Sequence, residues 1–126
     1  MARSEGRTDK APVPVAPYSQ AVRIGNVVAA SGQAGVDPQT GTLVSPDIAG
    51  QTVQTFKNIE SILASADASL DDVIRIEVYL SNMDDFAAMN VEYEKAFSAP
   101  YPARTTVGVQ LPAGLKIEIT ALAVTE

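Results

Sequence analysis

The spacing of apolar residues changes period several times along the chain, and each change marks an element. Residues 19–24 and 27–31 read as two short strands, which the tight reversal Gly25-Asn26 joins into a hairpin. At Ser31-Gly32-Gln33, Gly32 marks either a bulge or close backbone approach, or simply the end of the strand. Asp37-Pro38-Gln39-Thr40-Gly41 has the residue types of a turn. Ser45-Pro46 then announces a helix, with Ser45 as its N-cap and Pro46 at its first position. Val53, Phe56, Ile59, Ile62, Leu63 and Ala66 recur at helical spacing behind it. After a connection at 67–72, the period falls to two: Ile74, Ile76, Val78 and Leu80 alternate with Val73, Arg75, Glu77 and Tyr79. Residues 82–85 cap a second helix that runs to about Phe97, with Phe86, Met89, Asn90, Tyr93 and Phe97 on one stripe.

Residues 101–118 read as strand, turn and strand. Val107, Val109 and Leu111 share one face of the first strand, while Arg104, Thr106 and Gly108 share the other. Pro112-Ala113-Gly114 breaks the run. The last strand has Ile117, Ile119, Ala121 and Ala123 on one face and Glu118, Thr120, Leu122 and Val124 on the other. The element order is therefore β-β-α-β-α-β-β, with a flexible tail at 1–11 and a single domain at 12–126. Two helices can cover one face of such a sheet only. The other face is expected to hold Arg75, Glu77, Tyr79, Arg104, Thr106, Glu118, Leu122 and Val124. That mixture suits a subunit interface that also holds a ligand. The alternative is an open sheet facing water.

Composition narrows the chemistry. The net charge of −6 lacks the basic footprint of a nucleic-acid binder, so no nucleic acid is expected. No apolar run is long enough for a membrane span, and the charged start, with Glu5 and Asp9 among its basic residues, is not a secretory signal. With neither Cys nor His, the chain has no disulfide, no thiolate nucleophile and no Ser-His-Asp site, which fits a cytoplasmic protein. Neither a metal nor a cofactor is expected. Two charges stand out. Arg104 lies in a stretch with no other charge until Lys116, and Glu118 lies inside an apolar strand. If their strands are close in the sheet, both project to the same side. An exposed ion pair would be worth little, but a charge in such a setting is usually paired or working. Asn90, an amide on an apolar stripe, is read from spacing alone as structural.

These residues also form a known pattern. Pro102-Ala103-Arg104-Thr105, Leu111-Pro112 and Ile117-Glu118-Ile119 resemble the signature of the reactive-intermediate deaminase family (Rid, or YjgF). Ala16-Pro17-Tyr18-Ser19-Gln20-Ala21, Ala30-Ser31-Gly32-Gln33 and Met89-Asn90-Val91-Glu92-Tyr93 match its other landmarks, so that the resemblance covers nearly everything from about Ala11. It implies an α+β, chorismate-mutase-like fold and a homotrimer with a site in each cleft between subunits. It also implies hydrolysis of enamines and imines, such as 2-aminoacrylate and its tautomer 2-iminopropionate, to 2-oxo acids and ammonia. Arg104 matches the arginine that holds the substrate carboxylate, and Glu118 matches the acid that orients or activates water. Tyr18, Ser31, Gly32, Asn90 and Thr106 match other site-lining positions, which raises the ligand reading of Asn90 over the structural one. Many members carry Cys where Thr106 stands, and the segment from Phe97 to Pro102 looks short. A regulatory module that binds 2-oxo acids without turnover is the alternative function. An RNA-cleaving relative is a further one that the acidic balance opposes.

Overall fold

Gly25 takes a φ of 56°, in the left-handed region that a residue without Cβ enters freely, and so closes the hairpin of β2 (Ala21–Ile24) and β3 (Val27–Gln33). In the computed structural model, which describes residues 2–126, that hairpin is part of one six-stranded sheet. The other strands are β1 (Ser4–Gly6), β4 (Val73–Leu80), β5 (Ala103–Gly108) and β6 (Ile117–Val124). The order across the sheet is β1-β2-β3-β6-β4-β5. Every neighbouring pair is antiparallel except β4 and β5, which are parallel because helix α2 (Phe86–Ala96) carries the chain back between them. Helix α1 (Ile48–Ser65) connects β3 to β4.

Both helices lie on one face, as the periodicity predicts. Ile76, Val78 and Leu80 of β4 and Ile117, Ile119 and Ala123 of β6 are fully buried on that face. They pack with Ile59, Ile62 and Leu63 of α1 and with Met89 and Tyr93 of α2 in one core. The mixed sheet with two helices on one face is the expected α+β architecture. Of the stripe read for α1, only Val53 is well exposed, and of that read for α2, Phe86.

Three local expectations change. The tail expected at 1–11 is ordered through the described residues, with Met1 outside them. Ser4 pairs with Arg23 and Gly6 with Ala21, and Ala11 is 1% exposed. The cause is the buried amide of Gln20, whose Oε1 accepts from Thr8 N and whose Nε2 donates to the carbonyls of Thr8 and Pro12. A three-residue strand shows no period, so nothing in the apolar pattern announces it. Helix α1 starts at Ile48 because Asp47 is its cap: Asp47 Oδ1 accepts from Gly50 N, and Ser45 Oγ bonds to the other carboxylate oxygen. Finally, a register shift between Val73 and Arg75 turns Val73 into the core and leaves Ile74 51% exposed.

Gln51 ties α1 to the turn that leads into β6. Its fully buried side chain donates to the carbonyls of Ser45 and Gly114 and accepts from Lys116 N. Gln51→Leu leaves three backbone groups without partners, each of which costs roughly 1–3 kcal/mol when buried. The expected loss of stability is about 2–4 kcal/mol, read from urea unfolding midpoints at constant slope.

Candidate active site

β5 is an edge strand, and its ladder with β4 decides where its side chains go. Arg104 pairs with Ile76 and Thr106 with Val78, residues whose side chains face the helices. Arg104 and Thr106 therefore lie on the helix side. This corrects the expectation that they share the open face with Glu118. Arg104 Nη1 donates to Asn90 Oδ1 of α2 at 2.9 Å. The guanidinium carbon lies 4.6 Å from the ring centre of Tyr93 and 5.5 Å from that of Phe86. Among the described residues the guanidinium pairs with no carboxylate. It lines an open pocket of about 360 Å³ with Asn90, Tyr93, Glu94, Tyr101 and Pro102. Burial pushes the Tyr93 hydroxyl above the ordinary tyrosine value, and the neighbouring Arg104 opposes that shift. Thr106 Oγ1 is buried and has no hydrogen-bond partner among the described residues.

Glu118 lies on the open face, as its alternation with buried Ile117 and Ile119 requires. Its ladder partner is Tyr79. Burial, then the charge of Glu77, with a smaller contribution from Glu118, raise the Tyr79 hydroxyl above its ordinary value. Gly32 of β3 is a point of close approach. The β3–β6 register shifts between Ala30 and Gln33, and a Cβ at Gly32 would stand 2.6 Å from Glu118 Oε2. Of the two readings open in the sequence, bulge with close approach is the one that holds.

Tyr18 and Ser31 form a third group. They line a cleft of about 380 Å³ with Arg3, Pro17, Ser19, Val22, Ala29 and Ala30. Ser31 Oγ donates to the Ser19 carbonyl. β6 and β4 separate β3 from β5, and three strand spacings amount to about 14 Å. One chain thus brings together Arg104, Asn90 and Thr106, and separately Gly32 and Glu118. It does not bring those two groups together, and Arg104 and Glu118 lie on opposite faces of the sheet.

The family model described as Endoribonuclease L-PSP matches residues 8–125. The chain belongs to the reactive-intermediate deaminase (Rid/YjgF) family. Among Rid relatives, a RutC family protein of Pyrococcus abyssi is 45% identical over the whole of both chains. The 2-iminobutanoate/2-iminopropanoate deaminase of Salmonella typhimurium is 40% identical, the match covering 93% of this chain and 94% of that protein. The crystal structure of E. coli TdcF with bound serine superposes with a TM-score of 0.92 at 36% identity, over 98% of this chain and 99% of that one.

Two kinds of residue do not read in the sequence as neighbours of the candidate site. Phe86 and Tyr93 sit on a helical stripe that reads as core, although both rings flank Arg104. Arg3 sits in a segment that reads as tail, although it lines the Tyr18 cleft. A signal for the first existed: Asn90 lies four residues after Phe86 and three before Tyr93, so whatever meets the amide meets both rings.

Gly32→Ala tests the close approach. The new methyl meets the end of a flexible carboxylate, so the fold is expected to survive while Glu118 Oε2 is displaced. Turnover of an imine should fall by about 10²-fold, the scale of a misplacement of about 1 Å, with the melting temperature little changed.

Proposed function

We propose that this protein hydrolyses small 2-imino acids, and their enamine tautomers, to 2-oxo acids and ammonia. The observation that carries the reading is the unpaired guanidinium of Arg104, held by Asn90 beside a pocket, in a chain 40% identical to a named 2-iminobutanoate/2-iminopropanoate deaminase. A planar guanidinium binds a carboxylate through two parallel hydrogen bonds. That anchors the 2-imino acid and sets its C=N carbon in place. The imine reacts in its protonated form: Glu118 accepts a proton from water as the water oxygen attacks the iminium carbon, giving a neutral carbinolamine. The proton then passes to the nitrogen, the C–N bond breaks, ammonia leaves, and loss of the hydroxyl proton leaves the carbonyl. Thr106, at the position where many members carry Cys, offers a hydroxyl with no partner among the described residues. The reaction balances as imine plus water to ketone plus ammonia, and it needs no nucleophilic side chain. The serine bound to TdcF supports a small amino-acid-like ligand.

The site is proposed to be shared between subunits of a homotrimer. Arg104 and Glu118 on opposite faces of one sheet cannot both reach one small molecule from the same chain. A neighbouring copy that brings its β3–β6 region to the β5 edge completes the set. The open face supports this reading, because it exposes Ile24, Val27 and Val124 at one end and Val107 at the other. Tyr18, Ser31 and Gly32 then come from the subunit that contributes Glu118.

The test generates imine in place with an amino acid oxidase in the presence of semicarbazide, which traps imine in competition with hydrolysis. The protein is expected to lower semicarbazone formation in proportion to its concentration, and Arg104→Ala to abolish the effect. Light scattering after gel filtration reads the mass of the assembly; a monomer at micromolar concentration sinks the shared site. Wild type that binds 2-oxo acids but fails against imines from alanine, leucine and serine leaves the regulatory-module reading. Because the family model is described as an endoribonuclease, a structured RNA serves as the other substrate. No cleavage is expected from this acidic, histidine-free chain.

A further inference from the structure

We infer that Phe86 and Tyr93 form an aromatic clamp that fixes the plane of the Arg104 guanidinium, and that Asn90 fixes its rotation within that plane. Together they choose which edge of the guanidinium meets a carboxylate. The inference rests on the proposed reading of Arg104 and deepens it by naming residues that position the arginine.

The geometry is direct. Phe86 and Tyr93 are seven residues apart on α2, which is two turns and about 10.5 Å of rise. The guanidinium carbon lies over the Phe86 ring at 5.5 Å and over the Tyr93 ring at 4.6 Å, so the cation meets both. Ring faces attract a planar cation through their quadrupole, and the contact leaves the edge N–H groups free. Asn90 stands between the rings on the same stripe, and its Oδ1 takes a proton from Nη1 at 2.9 Å. The rings set the tilt and the amide sets the spin. With Nη1 engaged, the Nη2 and Nε donors form the free fork for a bidentate carboxylate.

Tyr93 is itself held rigidly, edge-on to Phe56 at 5.7 Å and tilted against Phe97 at 5.2 Å. Its hydroxyl is buried with no hydrogen-bond partner among the described residues. Arg104 nevertheless stands close enough to the hydroxyl to oppose the rise of its pKa, so the positioning is assigned to the ring face, and Tyr93→Phe separates the two. A helix stripe that belongs to the core thus extends its last packing contact into the binding group. Phe86, 39% exposed, forms the outer jaw.

The experiment uses the full chain with pyruvate as the calorimetric probe and the semicarbazide assay for turnover. Arg104→Ala is expected to abolish pyruvate binding. Tyr93→Leu and Phe86→Leu should each weaken it by about tenfold, the scale of a desolvated cation–ring contact. Both should raise KM more than they lower kcat, whereas Tyr93→Phe should restore binding to within about twofold of wild type. In an Arg104→Lys background the two leucine substitutions should change kcat/KM no further, because lysine has no plane to hold. Phe86→Leu keeps the test decisive if Tyr93→Leu disturbs the core. Wild-type affinity in folded leucine variants, equal losses with lysine present, or a Tyr93→Phe variant as weak as Tyr93→Leu would each overturn the clamp. If Arg104→Ala alone loses binding, the carboxylate reading survives that outcome. If Arg104→Ala binds pyruvate normally, both readings fall.

Discussion

Glu118→Gln is expected to bind pyruvate within a few-fold of wild type and to turn over imine roughly 10²–10⁴-fold more slowly, the range of general acid–base catalysis. Glutamine keeps the shape of the side chain. It also keeps an oxygen beside Gly32, where a Cβ would displace the Glu118 side chain. It cannot take a proton from water or return one to the leaving nitrogen. The split between binding and turnover is the informative part. Equal turnover in the variant would reduce Glu118 to a holder of water. An equal loss in both quantities would place it in ligand binding.

Arg104→Lys is expected to impair activity nearly as much as Arg104→Ala. Lysine retains the charge but presents no fork, and its compact ammonium makes neither the two parallel hydrogen bonds nor the stacked contact with Phe86 and Tyr93. Because Arg104 lies on an edge strand and is only partly buried, the fold should survive either change. The loss should appear as a raised KM, with affinity for pyruvate falling in parallel. A lysine variant with near-normal turnover and an unchanged KM would remove Arg104 from the carboxylate role.

The strongly periodic elements were readable because their patterns are properties of single segments. β6 alternates without interruption and turns the residues expected into the core. α1 shows its stripe over four turns. Failures arose where a neighbour decides the outcome. Arg104, Thr106 and Gly108 do share one face of β5, but which face depends on the ladder with β4, and that ladder exists because β4 inserts between β5 and β6. Alternation carries no information about sheet order. In β4 a bulge moved Ile74 out of the core, and period two continues unbroken across such a shift. β1 was hidden because the amide of Gln20, far along the chain from it, does the anchoring.

At the candidate site, the motifs supplied the candidate residues and the apolar stripe concealed their neighbours. Asn90 was legible as an amide out of place, and the structure gives it a guanidinium partner. The contact of Tyr93 with Arg104 was not, because a buried aromatic at helical spacing has an ordinary explanation in the core, and here the ring both packs in the core and lies 4.6 Å from the guanidinium carbon. Gly32 was ambiguous until the position of the Glu118 carboxylate was known.

The central claim is an imine hydrolase whose site takes Arg104 from one subunit and Glu118 from another. Subunit complementation tests it most directly. Arg104→Ala and Glu118→Gln proteins are each unfolded, mixed in equal amounts, refolded together and assayed by loss of semicarbazone. Each parent refolded alone should be inactive. In random trimers, one site in four receives an intact arginine from one chain and an intact glutamate from its neighbour, so the mixture should recover about a quarter of wild-type activity. A mixture as inactive as its parents, with wild type refolded in parallel fully active, would contradict the shared site.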